Sequence, residues 1–338
     1  MTDKTKCLYH SVRLRRGDNQ FGASLGGRLV PCHVNKGPKV REKVSLRHDA
    51  SEEILGRVAS LLTRALLVVV LQAGGPCRGD DASDKVEREK QSKRRLEFMQ
   101  SVIDDMKVSS SEIESDAALK LGKTPLLRYN DPTRALGDLS KGLMDAGVWR
   151  LGESGRPTAL VTLEIYRVEA DRAILSYEFA SLVPSRLDIV SPRGPVWRPT
   201  RTDLKMVRLP DAPHPADSPK ARLVQMRQLS RRFAVHEALD TGDKVECRLL
   251  PQPIDRYADE KQGIFDGAIF VFANGTNPEL ALLLECSADE WTCGVVRLSA
   301  AALFADLDDQ QFFNAPQSFG QPPSAPYLGT THQITLDE

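Results

Sequence analysis

Apolar and polar positions recur with two different periods along this chain. Between Asp84 and Val108, Leu96, Met99, Ile103 and Met106 return at helical spacing among Glu, Lys and Arg, which predicts an amphipathic helix. Its first third is almost entirely charged, so that end is expected to be solvated. Residues 158–166 (TALVTLEIY) and 172–182 (RAILSYEFASL) instead alternate, with VEAD at the turn, and predict a β-hairpin. Further strands are expected at 245–250, 264–274, 280–286 and 291–299, the last two forming a second hairpin. Alternation places Glu164, Glu178 and Glu285 opposite the apolar positions, on faces expected to meet solvent.

Residues 218–239 predict a second helix. Ser218 is suited to the N-cap and Pro219 to the first turn, and Leu223, Met226, Leu229 and Phe233 make its buried stripe. Prolines 184, 192, 195, 199, 210, 213 and 215 predict a long surface connection over 183–218. The tail after Phe313 is rich in Pro, Gln and Ser and is expected to be disordered. The resulting fold class is α+β, an antiparallel sheet built from hairpins with helices packed on one face or end. A helical segment over 80–122 would precede one α+β domain over 123–313, and 314–338 would be the disordered tail.

One apolar run stands apart. Ala65–Leu71 is unbroken, too short for the ~20 residues of a membrane span, and matches the ~7–15 residues of a signal-peptide core. Arg57 and Arg64 precede it, and Cys77-Arg78-Gly79 offers small residues before a cleavage point at Asp80. A short buried core segment is the competing reading, opposed by Gly74-Gly75-Pro76 and the acidic stretch beyond. The expected plan is a signal peptide over 58–79, with 1–57 a disordered upstream extension from a mis-assigned start. Charge divides at the same place. Of 46 Lys and Arg and 46 Asp and Glu, 14 and 6 fall in residues 1–79, leaving 32 against 40 afterwards. The acidic remainder argues against nucleic acid as a partner, since phosphate contacts need a basic surface. A membrane would be met only through the signal segment, if uncleaved. Periplasmic or secreted localisation in a bacterium follows.

Candidate chemistry is sparse. RLLPQPIDRY (248–257) fixes an extended corner that would present Gln252, Asp255, Arg256 and Tyr257, with Asp255 as an acid or base. Pairing of Asp255 with an arginine is the competing reading. Asp266, in GIFDGAIF, is an acid within an apolar strand and reads as an edge position, a bulge at Gly267 or a buried carboxylate. Arg128 and Arg156, in Arg-rich turns, are suited to an anionic ligand or to internal ion pairs. His214, His236 and His332, the histidines beyond residue 79, assemble neither a metal site nor a nucleophilic triad, and no cofactor motif occurs. Cys247, Cys286 and Cys293 follow the cleavage point. Cys286 and Cys293 flank a hairpin loop and form either a disulfide or, with Cys247, three buried thiols.

Three stretches together resemble a family of uncharacterised exported proteins from planctomycete-type bacteria. They are TPLLRYNDPTR followed by GVWRLGESGRPTALVTLE, the helix RLVQMRQLSRRF, and VECRLLPQPIDRYADEKQGIFDGAIFVFANGTNPELALLLE, within about residues 124–300. The resemblance implies export and a single domain, and carries no activity. Two functions are therefore expected to compete. One is a non-enzymatic binding or accessory protein for an unknown ligand or protein partner. The other is a carboxylate-based hydrolase acting on a glycan or ester through Asp255 and Asp266.

Overall fold

The structure, a computed structural model, describes residues 82–335 apart from 115, 135–139, 170 and 240–241. The expected upstream extension and signal peptide lie outside the described residues. Two α-helices and seventeen strands occur among those described, so the fold is predominantly β and not the expected α+β. Helix α1 (Ala82–Asp104) leads into a short strand, β1 (Lys107–Ser109). A five-stranded antiparallel sheet is formed by β2 (Leu127–Asp131), β3 (Gly142–Leu151), β4 (Ala159–Arg167), β5 (Arg172–Ser181) and a late strand, β17 (Tyr327–Thr335). Its spatial order is β17-β5-β4-β3-β2, so the expected hairpin of β4 and β5 forms its centre.

The proline-rich connection holds three more short strands, β6 (Asp188–Val190), β7 (Val196–Trp197) and β8 (Val207–Arg208). The first two join β1 in a small sheet of order β1-β6-β7, which buries Ile189 and Trp197 completely. Prolines between them interrupt the ladder without preventing two- and three-residue pairings at edges. Helix α2 (Pro219–Ser230) then begins as expected, with Ser218 Oγ accepting the Ala221 N–H at 3.2 Å. It ends nine residues early. Phe233 continues the helical spacing from Leu229, but Phe233, Val235 and Glu237 also alternate, and the chain is a strand, β9 (Phe233–Ala238).

The large sheet contains β9, β10 (Lys244–Leu249), β11 (Asp255–Asp259), β12 (Ile264–Asn274), β13 (Asn277–Cys286), β14 (Trp291–Arg297), β15 (Ala302–Leu307) and β16 (Gln310–Ala315). With β8 at its far edge the order is β16-β15-β9-β10-β12-β13-β14-β8, and β11 also pairs with β12. β10 and β11 are successive stretches along one side of β12. Leu250 N–H donates to Val271 O at 2.9 Å and Ile254 N–H to Ile269 O at 2.8 Å, and Pro251-Gln252-Pro253 bulges out between them. The sheet curls. Phe233, Val235, Leu303 and Ala305 share one apolar core with Phe270, Phe272, Leu282 and Leu284, and α2 contributes Met226 and Leu229.

The tail expected to be disordered supplies β17, paired along its length with β5 from Tyr327↔Ala180 to Thr335↔Arg172. Its Tyr327-Leu328 start is buried and its Thr and His positions suit an edge, a pattern that the Pro, Gln and Ser content of 314–326 conceals.

Both faces of the five-stranded sheet are covered. Val161, Leu163, Ile165, Leu175, Tyr177 and Phe179 pack beneath α1 and the small sheet. The opposite set, including Leu160, Tyr166, Ile174 and Ala180, faces Ile269, Val271, Ala281 and Leu283 of the curled sheet. The polar positions of β4 and β5 belong to that second set. Glu164 and Glu285 are therefore buried and Glu178 is partly exposed, in contrast to the solvated faces expected.

Candidate functional site

The residues singled out in the sequence are tied up in internal contacts. Arg150 Nη1 lies 2.7 Å from Asp255 Oδ2, joining β3 to β11. Burial pushes the Asp255 carboxyl above its ordinary range, against the opposing charge of Arg150. Asp266 is held by two guanidinium groups, with Arg222 Nε at 2.9 Å and Arg256 Nη2 at 2.5 Å. The two carboxylates also face opposite sides of the sheet. Asp255 is registered with Ile269, which points into the core between the sheets, whereas Asp266 is registered with Cys286, on the concave side. No common cleft holds both.

Tyr257 and Arg156 meet at Glu285. The Tyr257 hydroxyl donates to Glu285 Oε1 at 2.7 Å, and Arg156 Nε and Nη2 reach the carboxylate at 2.7 and 2.5 Å. A Cβ on Gly267 would lie 2.5 Å from the Tyr257 ring, so glycine is what lets the ring cross the strand there. Gln252 Oε1 accepts from Arg227. Arg128 is bound to Asp145 and to the Ser92 carbonyl. It lines an open depression of about 490 Å³ together with Arg248 and Leu250, at the start of the 248–257 corner. Cys286 sits opposite Trp291 and Cys293 opposite Leu284, so the two thiols are diagonal neighbours and not directly paired. Diagonal spacing of ~7–8 Å exceeds disulfide reach. All three cysteines are free and buried, which corrects the expected bridge.

A different group of acids converges. Glu164 on β4 and Glu178 on β5 point from the inner face of the five-stranded sheet, and Glu237 on β9 approaches from the curled sheet. The three line one cavity of about 250 Å³ with Arg134, Tyr166, Asn277, Ser299 and Phe319 among its other walls. Glu279 on β13 lies behind Asn277, fully buried, and its Oε1 accepts the Asn277 amide at 2.8 Å and pairs with Arg134 Nη1 at 3.1 Å. Tyr129 and Tyr166 each donate a hydroxyl to Glu164 at 2.9 Å. Asn274 donates to Glu237 Oε2 at 2.8 Å.

Among the described residues, Arg134 is the one guanidinium or ammonium lining the cavity. Burial raises Glu164 above the usual carboxyl range, and the two tyrosine hydroxyls and Arg134 pull in the other direction. Glu178 is raised well above that range, by burial first and then by the neighbouring Glu164 and Glu279 charges. Glu279 is raised by burial, with Arg134 opposing. Carboxyls so placed hold their protons to higher pH than carboxyls open to water, and a cation placed beside them would favour their charged form. The cavity holds no histidine or cysteine among its lining residues, and no group of three acidic, histidine or cysteine side chains among the described residues has the arrangement of a metal site.

The acid cavity was not foreseen. A signal was nonetheless present. The polar face of β4 and β5 reads Thr162, Glu164, Ser176 and Glu178, with its one basic residue, Arg172, at the strand end, an unusual face to turn towards water. No helix among the described residues is long and apolar enough to cross a membrane. Compared with protein-family models, with curated proteins and with solved structures, the chain matches none of them, so its site is read from geometry.

Proposed function

We propose that this chain is a non-enzymatic binding protein for a small polar ligand, held in the cavity between the two large sheets. One observation carries the reading: three carboxylates from three different strands converge on a single cavity whose one lining cation among the described residues is Arg134, and burial raises the pKa values of two of them, Glu164 and Glu178. Convergent polar groups of perturbed acidity in a concave site are the physical marks of a ligand site. Export to the periplasm or beyond belongs to the same proposal, supported by the apolar run at 65–71 and the acidic composition beyond it. The competing reading, hydrolysis of a glycan or ester by Asp255 and Asp266, has less support, because each is bound to arginine and the two face opposite sides of the sheet.

The test is a thermal-shift screen of the full chain against small sugars, amino acids, amines and carboxylic acids. Thr331→Trp, which fills the mouth of the cavity from an exposed position, should abolish the shift of any hit. A hit unaffected by Thr331→Trp would place binding elsewhere.

A further inference from the structure

The ligand's chemistry is written in what the cavity wall lacks. Arg134 is already paired with Glu279, and the recorded hydrogen-bond partners of Glu164 and Glu237 among the described residues are the neutral groups of Tyr129, Tyr166 and Asn274. Asn277 is only 3% exposed and lines the cavity, yet its Oδ1 accepts no hydrogen bond. A buried acceptor left unpaired is costly, so the site is short of donors. It is also short of positive charge.

The mouth adds an independent mark. Phe319 is 66% exposed, the most exposed large apolar side chain among the described residues, and it lines this same cavity. An aromatic ring beside carboxylates is the usual setting for an organic cation, which uses the ring face and the charge together. A bare metal ion would gain nothing from Phe319 and would need a ligand grouping the described residues do not provide. The volume of about 250 Å³ suits a small molecule.

Resting on the reading of this cavity as a ligand site, we propose that its ligand is a small protonated alkylamine. Its ammonium donates to Glu164, Glu178 and Asn277 Oδ1, and its hydrocarbon chain lies against Phe319. Burying an ammonium is costly unless it meets carboxylates and its N–H groups are all accepted, and this wall supplies both.

Calorimetric titration of the full chain with butylamine and putrescine, beside the neutral 1-butanol and the anionic butyrate, tests the proposal. The amines should bind saturably, and 1-butanol and butyrate should bind at least about tenfold more weakly, a difference of ~1.4 kcal/mol. Glu178→Gln should weaken amine binding by about tenfold or more. Phe319→Ala, at an exposed position that leaves folding unchanged, should weaken it about threefold. Saturable binding of neutral molecules that Thr331→Trp blocks, with no preference for amines, would overturn the amine assignment and leave the small-ligand reading standing. Absence of saturable binding by the amines and by every member of the wider screen would overturn both.

Discussion

Arg134 and Glu279 form an ion pair across the two large sheets. The guanidinium follows β2 of the five-stranded sheet, and its Nη1 lies 3.1 Å from Glu279 Oε1 on β13 of the curled sheet. It is the positive charge among the lining residues of the acid cavity, and it faces a carboxylate with no exposure to water. Removing one member of a buried pair leaves the other charge uncompensated, at ~3–5 kcal/mol. Arg134→Met should therefore lower the urea midpoint strongly, and adding Glu279→Gln should restore most of the loss. Equal stability of the single and double variants would show that the pair does not join the sheets.

The acids of the cavity make stability depend on pH in a defined direction. Glutamate in an unfolded chain titrates near ~4.3. Glu164, Glu178 and Glu279 titrate higher in the folded protein, raised by burial and by one another, with Arg134 opposing. Between those values the folded state binds more protons than the unfolded state, so their contribution falls as pH rises through the folded values. Asp131 and Asp308, lowered by hydrogen bonds from Thr133 and Arg232, act in the opposite direction, and lose their contribution as pH falls below ~4. Melting temperature should be higher at about pH 5.5 than at about pH 8. Glu178→Gln should flatten that slope, with ~2–4 °C gained near pH 8 for each kcal/mol relieved.

Phe233 anchors β9 in the concave core, edge-on to Phe312 with ring centroids 5.4 Å apart. Truncating a buried phenylalanine costs ~3–5 kcal/mol. Arg231, at the end of α2, is exposed. Phe233→Ala should leave the protein poorly soluble or unfolded, and Arg231→Ala should change stability by less than ~1 kcal/mol. Thermal melts giving the reverse order would mean that the arginine side is the buried one.

The three thiols of the folded unit should be inert. Burial pushes Cys247 up to about 12 and Cys286 and Cys293 up to about 11. Thiolate is the reactive form. Alkylation followed by peptide mapping should leave all three unmodified in the native protein and label all three in denaturant. Recovery of a Cys286–Cys293 disulfide peptide would contradict the diagonal register.

Much of the architecture was legible in the strands themselves. The β4–β5 and β13–β14 hairpins and the strand at 264–274 follow from alternation and apolar runs, and Ser218-Pro219 marks the start of α2. The fold class was not, because strands were concealed, four of them plainly. Prolines disguised β6 and β7, Phe233 extended an apparent helix, and a polar tail hid β17. The site was missed for one related reason. Alternation reports two faces of a strand, and only the packing of a second sheet decides whether the polar face meets water. Glu164 and Glu178 look solvated in a two-layer picture and become a cavity wall once β12 and β13 cover them.

Resolved ¹³C NMR titration of the glutamate side-chain carboxyls in the full chain tests that central point most directly. With assignments made from Glu164→Gln, Glu178→Gln and Glu279→Gln, the three should titrate above ~4.3, Glu178 well above it. Addition of butylamine should draw Glu178 back down, as an ammonium favours its charged form. Ordinary titration of all three near ~4.3, as for carboxylates open to water, would contradict the buried acid cavity on which the account rests.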